Sequence, residues 1–204
     1  MTIALLTALI TFAFVTLITP GPNNIMLLAS GMNYGYRATF PHLLGIGVGF
    51  AVMLVLVGIG IMQIIEFYPS FLMILKIICT LYLLYLAAKI ANAAPLSSKA
   101  GQNMHAGKPM TLAQAALFQW VNPKAWTMQL TAMSVYTPSD PVLIDFLLVA
   151  AVFLIMVIPV NSLWILAGQQ LRPFLNNQKR MRVFNNICAI LLVISLYPIF
   201  IGTS

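Results

Sequence analysis

Acidic side chains are nearly absent from this chain of 204 residues: Glu66, Asp140 and Asp145 stand against ten Lys and Arg, and charged residues make up 6% of the whole. So few charges cannot cover a water-soluble surface, and with 61% hydrophobic residues the composition excludes a soluble domain. Cysteine is scarce as well. Cys79 and Cys188 both lie in apolar runs, and neither belongs to a CxxC or Cys/His spacing, which excludes that kind of metal site. They read as free thiols that behave as small apolar residues. The start, "MTIALLTALI", has no basic segment and no small-residue cleavage site after it, so the first apolar run reads as a retained span and not a signal peptide. The net charge of +7 would suit a nucleic-acid partner, but its placement along the chain points to a lipid bilayer instead. No nucleic acid, cofactor or metal is expected.

What is abundant is long apolar sequence. A spanning helix needs ~20 apolar residues, and six stretches approach or meet this: 3–30, 40–64, 69–90, 112–136, 142–168 and 183–202. The expected fold is all-α, one transmembrane domain over 1–204. A linker at 91–111, rich in Ala, Ser, Gly, Asn and Lys, divides it into three-helix halves over 3–90 and 112–202. Arg37, Lys89, Lys99, Lys108, Arg172, Lys179, Arg180 and Arg182 fall in or beside alternate connections, and the three acids fall in or beside the others. The positive-inside bias therefore makes the basic loops cytoplasmic and puts both termini on the outer side. An odd number of spans per half gives the halves opposite directions, the geometry of an inverted repeat. No residue-level repeat supports it; the symmetry rests on hydropathy and on two helix breaks.

Those breaks are "TPGPNN" (Thr19 to Asn24) in the first span and "WVNPKAW" (Trp120 to Trp126) in the fourth, the opening span of each half. Ile3 to Ile18 rises only ~24 Å as helix, short of the ~30 Å hydrocarbon core, so Pro20 is still within the bilayer. Pro20 and Pro22 interrupt the ladder, and Gly21 permits a conformation that other residues resist. Thr19, Asn23 and Asn24 can bond the freed backbone groups, and the amides after Pro22 can open a half-helix whose positive end favours a carboxylate. A simple proline kink is the plainer reading. In the second break, Asn122, Pro123 and Lys124 lie ten or more residues into their span, which puts Lys124 ~18 Å from either edge. Lysine at that depth normally faces a cavity or the bundle interior. Lys76, ~11 Å deep in the third span, repeats the argument less forcefully, since snorkelling can explain it. No acid lies at comparable depth, so both lysines are expected either to lose a proton or to bind an anion, for which a substrate carboxylate is the obvious candidate.

Other polar positions are ambiguous. Asn161 and Ser162 after Pro159, and Asn185 and Asn186, suit helix–helix hydrogen bonds as well as a site. His42 reads as interfacial, the "GIGVG" stripe of Gly45, Gly47 and Gly49 as packing, and Tyr68 and Tyr136 as interfacial belts.

Taken together, "TPGPNNIMLLASGMNYGYRATFPHLLGIGVGF", "LKIICTLYLLYLAAKI" and "FQWVNPKAW" resemble the LysE/RhtB amino-acid exporters, most closely the branch that exports cysteine and O-acetylserine. The resemblance covers nearly the whole chain and implies a bacterial inner-membrane exporter of about six spans, driven by an ion gradient. The family motif falls on Pro20, Gly21, Pro22, Asn23, Lys76, Asn122, Pro123 and Lys124.

With no acid at the depth of the lysines, a cationic side chain has no evident partner, so the expected substrate is a small neutral amino acid or derivative: cysteine, O-acetylserine or a homoserine/threonine-like compound. The expected coupling ion is H+, although the usual intramembrane carboxylate carrier is missing. A homo-oligomer stays open. The competing readings are a thiol-redox carrier using Cys79 and Cys188, and a passive channel, against which stands the lack of a charged ring or filter motif.

Overall fold

The computed structural model describes residues 1–61, 69–92, 108–175 and 177–197. Glu66, Tyr68, Lys99, most of the 91–111 linker and the last residues of the second and sixth expected spans lie outside the described residues. Among the described residues all regular structure is helical. α1 covers Ile3–Ile18, and α2 covers Pro22–Leu56 before a π turn at Val57–Ile61. α3 is Pro69–Ala91. α4, Leu112–Phe118, continues into a 3₁₀ turn at Gln119–Val121, and α5 is Pro123–Tyr136. α6, Leu143–Leu171, ends in a 3₁₀ turn at Arg172–Leu175, and α7 is Gln178–Ile194. Among the described residues, three stretches are long and apolar enough to cross a membrane by themselves, Pro22–Gly60, Met73–Ala91 and Leu143–Leu175. Ile3–Ile18 and Leu112–Val121 are apolar but shorter, because helix breaks cut them off from the segments that follow.

Four helices start on a residue whose side chain takes up an otherwise free amide: Thr2 for α1, Thr111 with Gln114 for α4, Asn122 for α5 and Asn177 for α7. α2 is two legs that meet at Gly35, where φ is +78° and ψ is 174°. The Ser30 and Thr39 hydroxyls are 2.8 Å apart. Nine residues of straight helix would separate them by ~13.5 Å, so the chain doubles back at Gly35. Glycine tolerates that positive φ without a Cβ clash. The loop expected around 31–39 is thus a reversal at one residue, and helix persists on both sides of it.

α6 packs along both legs of α2 and makes the most extensive helix contact in the protein. Small residues let the backbones touch: a Cβ added to Gly168 would lie 2.0 Å from the Leu28 carbonyl oxygen, and one on Gly31 would lie 2.2 Å from that of Ile165. On the returning leg, Gly45 and Gly49 meet Leu112 and Ala116 of α4, the packing role read from their spacing. Leu9, Leu27, Leu43, Phe50, Phe153 and Val157 share the core that joins α1, α2 and α6. A second core joins Cys79 and Leu83 of α3 to Cys188 and Leu192 of α7 and to Phe118. Away from that contact α3 leaves Met73, Ile74, Ile77, Ile78 and Leu81 exposed, as a face toward lipid requires.

The bundle has two chemically different ends. The Tyr36 amide donates to Gln169 Oε1 at 3.1 Å, so the Gly35 reversal and the end of α6 lie together, with Arg37 and Arg172 exposed beside them. At the other end the Tyr136 hydroxyl reaches the Ala8 carbonyl at 3.5 Å, near Asp140 and the first turn of α6 with Asp145. His42 departs from its expected interfacial position. It is 1% exposed, because the two legs of α2 close on each other at this level, as the Ser30–Thr39 bond shows.

Gly168→Ala places a methyl group against the Leu28 carbonyl with no flexible side chain to yield. The expected cost is roughly 1–3 kcal/mol, seen as a lower unfolding temperature of the purified protein in detergent. Unchanged thermal stability would contradict the close approach.

Candidate functional site

The first helix break is a short non-helical passage. α1 stops at Ile18, Thr19 is extended (φ −63°, ψ 133°), and Gly21 is extended too (φ −171°, ψ 179°) before Pro22 opens α2. Any residue adopts such backbone angles, so the reason expected for Gly21 needs correcting. The glycine makes room for a side chain: a Cβ there would lie 2.6 Å from Cδ of Lys124 and 3.2 Å from its Nζ. The lysine stem crosses directly over the Gly21 backbone.

Carbonyls released by the break are taken up by residues from both halves of the chain. The Asn24 amide donates to the Leu17 carbonyl at 2.8 Å and to the Thr19 carbonyl at 3.0 Å. The Lys124 ammonium donates to the same Thr19 carbonyl. Val15 accepts from the Thr19 amide at 3.1 Å. An unpaired buried carbonyl costs ~1–3 kcal/mol, so this bonding is what makes an interruption tolerable here. Pro20 is exposed, whereas Gly21, Pro22 and Asn24 are buried.

The second break is built differently. After the 3₁₀ turn, Asn122 is extended, and its Oδ1 accepts the Lys124 amide at 3.1 Å, capping α5 with Pro123 in the first turn. α2, by contrast, has no side-chain cap, and its first amides keep their hydrogen-bonding capacity. The breaks are tied a second time by Asn23 and Gln119. Asn23 Nδ2 donates to Gln119 Oε1 at 2.9 Å, and Gln119 Nε2 donates to Asn23 Oδ1 at 3.2 Å. Behind them the Trp126 indole donates to the Trp120 carbonyl at 2.9 Å and braces the turn.

Between the breaks lies a cavity of about 20 Å³, room for a water molecule and not for an amino acid. Asn23, Asn24, Asn122, Lys124 and Asn161 all line it, with Thr16, Leu17, Ile46, Phe50, Ala125 and Met128 completing the wall. None of these is acidic. Asn161 is fully buried, and neither its Nδ2 nor its Oδ1 has a hydrogen-bond partner. A paired helix–helix amide would not look like this; the side chain presents a free donor and a free acceptor to the cavity.

Of the residues singled out from sequence, the two broken motifs and Asn161 come together. Lys76 does not line the cavity; it is half-buried on α3. Ser162 turns to the Tyr36 hydroxyl at 2.8 Å, Asn185 is buried on α7, and Asn186 is exposed. Cys79 and Cys188 are 2% and 1% exposed, free, and packed in the second core, away from the cavity, so the thiol-redox reading is not favoured. Gln119 was missed. Its signal is a polar amide one turn before the break in a run whose other polar residue, Gln114, is used in the helix cap, and its partner is 96 residues away. Among the described residues no group of three His, Cys, Asp or Glu could hold a metal ion.

The model of the LysE type translocator family matches residues 14–195. Proteins named cysteine/O-acetylserine efflux protein from Salmonella paratyphi A and from Escherichia coli K12 are 30% and 31% identical to this chain over 203 residues, covering 98% of it and the whole of each relative. No solved structure gives a significant match.

Asn24→Leu removes the two bonds that close the end of α1. Thermal unfolding in detergent is expected to show a loss of roughly 1–3 kcal/mol; wild-type stability would exclude the capping role.

Proposed function

The chain belongs to the LysE type translocator family, and on that premise we propose that it exports small neutral amino acids or their derivatives, cysteine and O-acetylserine foremost, from the cytoplasm. It is a multi-pass membrane transporter; the family points to transport and not to an enzyme. The observation that carries the proposed site is the meeting of Lys124 with both helix breaks in one cavity. An ammonium has three donor hydrogens, and the Thr19 carbonyl takes one. The remaining donors, with the uncapped first turn of α2, form a positive corner suited to a carboxylate. Asn161 Oδ1 and the carbonyl-rich end of α1 supply neutral acceptors for the α-ammonium. Without an acid in the wall, a second cationic group on the substrate goes unpaired, which favours neutral side chains.

The breaks divide their helical paths near the middle: ~24 Å of α1 precedes the first and ~20 Å of the outgoing leg of α2 follows it. This supports a site at mid-membrane, where broken helices of inverted-repeat transporters bind substrate. The exposed arginines at the Gly35 end support a cytoplasmic placement of that end, with the start of α1 on the outer side. A proton is the proposed coupling ion, because the ammonium in the wall repels a metal cation such as Na+ and a proton can ride on Lys124 or on the substrate. The small cavity is a closed form, and loading must widen it.

Lys124→Met should insert normally yet reduce counterflow of cysteine or O-acetylserine in proteoliposomes at least tenfold, the loss of one charge-assisted contact. Wild-type rates in that variant would remove Lys124 from the site. In the same assay radiolabelled lysine should exchange far more slowly than the neutral compounds, and replacing both cysteines with serine should leave exchange intact.

A further inference from the structure

We infer that the reciprocal amide pair of Asn23 and Gln119 is the gate through which substrate enters from the basic end of the bundle. This rests on the site and orientation proposed above. Each half of the chain enters the site from a known end. α1 comes from the acidic end and reaches the cavity at Thr16 and Leu17; past the break, Asn23 lies on the way to Gly35 and the basic end. The second half runs the other way. It starts at Leu112 near the basic end, passes Gln119, and reaches the cavity only at Asn122 and beyond. The pair is therefore one turn nearer the basic end than the Lys124–Thr19 contact. Asn23 lines the cavity while Gln119, fully buried, stands behind it.

The chemistry of the pair suits a gate. Gln119 Nε2 also donates to the Ala115 carbonyl of its own helix at 2.9 Å, which orients the amide and leaves its second hydrogen for Asn23 Oδ1. Both bonds of the pair cross between the halves of the chain, and both can be replaced by bonds to water or to a polar substrate once the halves part, so opening strands no buried polar group. The opposite side is closed by rings. Phe50 lies tilted against Phe153 with centroids 4.8 Å apart, and Phe12 lies 6.2 Å from Phe153 and 5.5 Å from Tyr136. Apart from the long Tyr136–Ala8 bond that closure is made of apolar ring contacts and not of an exchangeable amide pair, so the two sides open by different means. Gln119 is thus a positioning residue that acts through Asn23.

The test uses full-length protein with Cys79 and Cys188 replaced by serine and a reporter at Thr16→Cys in the cavity wall. A membrane-impermeant methanethiosulfonate is applied separately to each face, in right-side-out and inside-out vesicles. Gln119→Leu is expected to raise labelling roughly tenfold from the face that carries Arg37 and Arg172, with no change from the other face. Gln119→Ser carries the same expectation and serves if the leucine variant inserts poorly. Unchanged labelling from the basic face, or an equal rise from both faces, overturns the gate. Counterflow measured in parallel separates the two readings: failure of every amino acid to exchange would refute the proposed substrate class, while the labelling asymmetry still decides the gate.

Discussion

A backbone carbonyl that leaves its helix in an apolar setting must find a donor, and the Thr19 carbonyl, exposed at the end of α1, finds two, the Asn24 amide and the Lys124 ammonium. Much of the molecule follows from that requirement. Asn24 must lie just past the break in the same segment, and Lys124 must arrive from the other half. The absence of a side chain at position 21 leaves the space that the lysine stem occupies. The break, the glycine and the half-buried cation therefore form one arrangement.

The packing around this contact is organised to hold the two halves in register. α6 lies along both legs of α2 through backbone-to-backbone approaches at Gly31 and Gly168, while α4 sits on Gly45 and Gly49 of the returning leg. These contacts leave little freedom to slide, because a sideways shift would bring Cα atoms into carbonyls. α3 and α7 form a looser layer with their own core, and much of the surface of α3 stays exposed. The bundle is thus divided into a closely packed group around the breaks and a peripheral pair of helices.

The halves share helix breaks but not their chemistry. The second break caps itself through Asn122, so its helix start is already satisfied. The first has no side-chain cap on α2, so its first amides keep their hydrogen-bonding capacity. This asymmetry gives the cavity a direction, with donors at Lys124 and the start of α2 and an unengaged amide at Asn161.

Composition alone was enough to read a membrane protein, since apolar runs of spanning length with so few charges have no soluble alternative. The proline motifs pointed to interruptions near Pro20–Pro22 and Asn122–Pro123, where the helices stop and restart, but a missing amide donor is not decisive by itself, since Pro41 and Pro159 lie inside α2 and α6. The bounds of α3 were legible to within a residue for the same local reason. Local rules could not tell that the connection near Arg37 is a reversal at Gly35, that His42 is enclosed, or that Gly21 is there for a lysine side chain 103 positions later. They ranked Lys124 above Lys76 by depth but could not say which of the two reaches the cavity. Both are cations at plausible depth in apolar helices, and only the packing of α2 against α5 brings one to the cavity and leaves the other on α3. Covalent order and local propensity decide where helices start and stop; which side chains share a cavity is decided by contacts between residues far apart in the chain, and those exist only once the helices have packed.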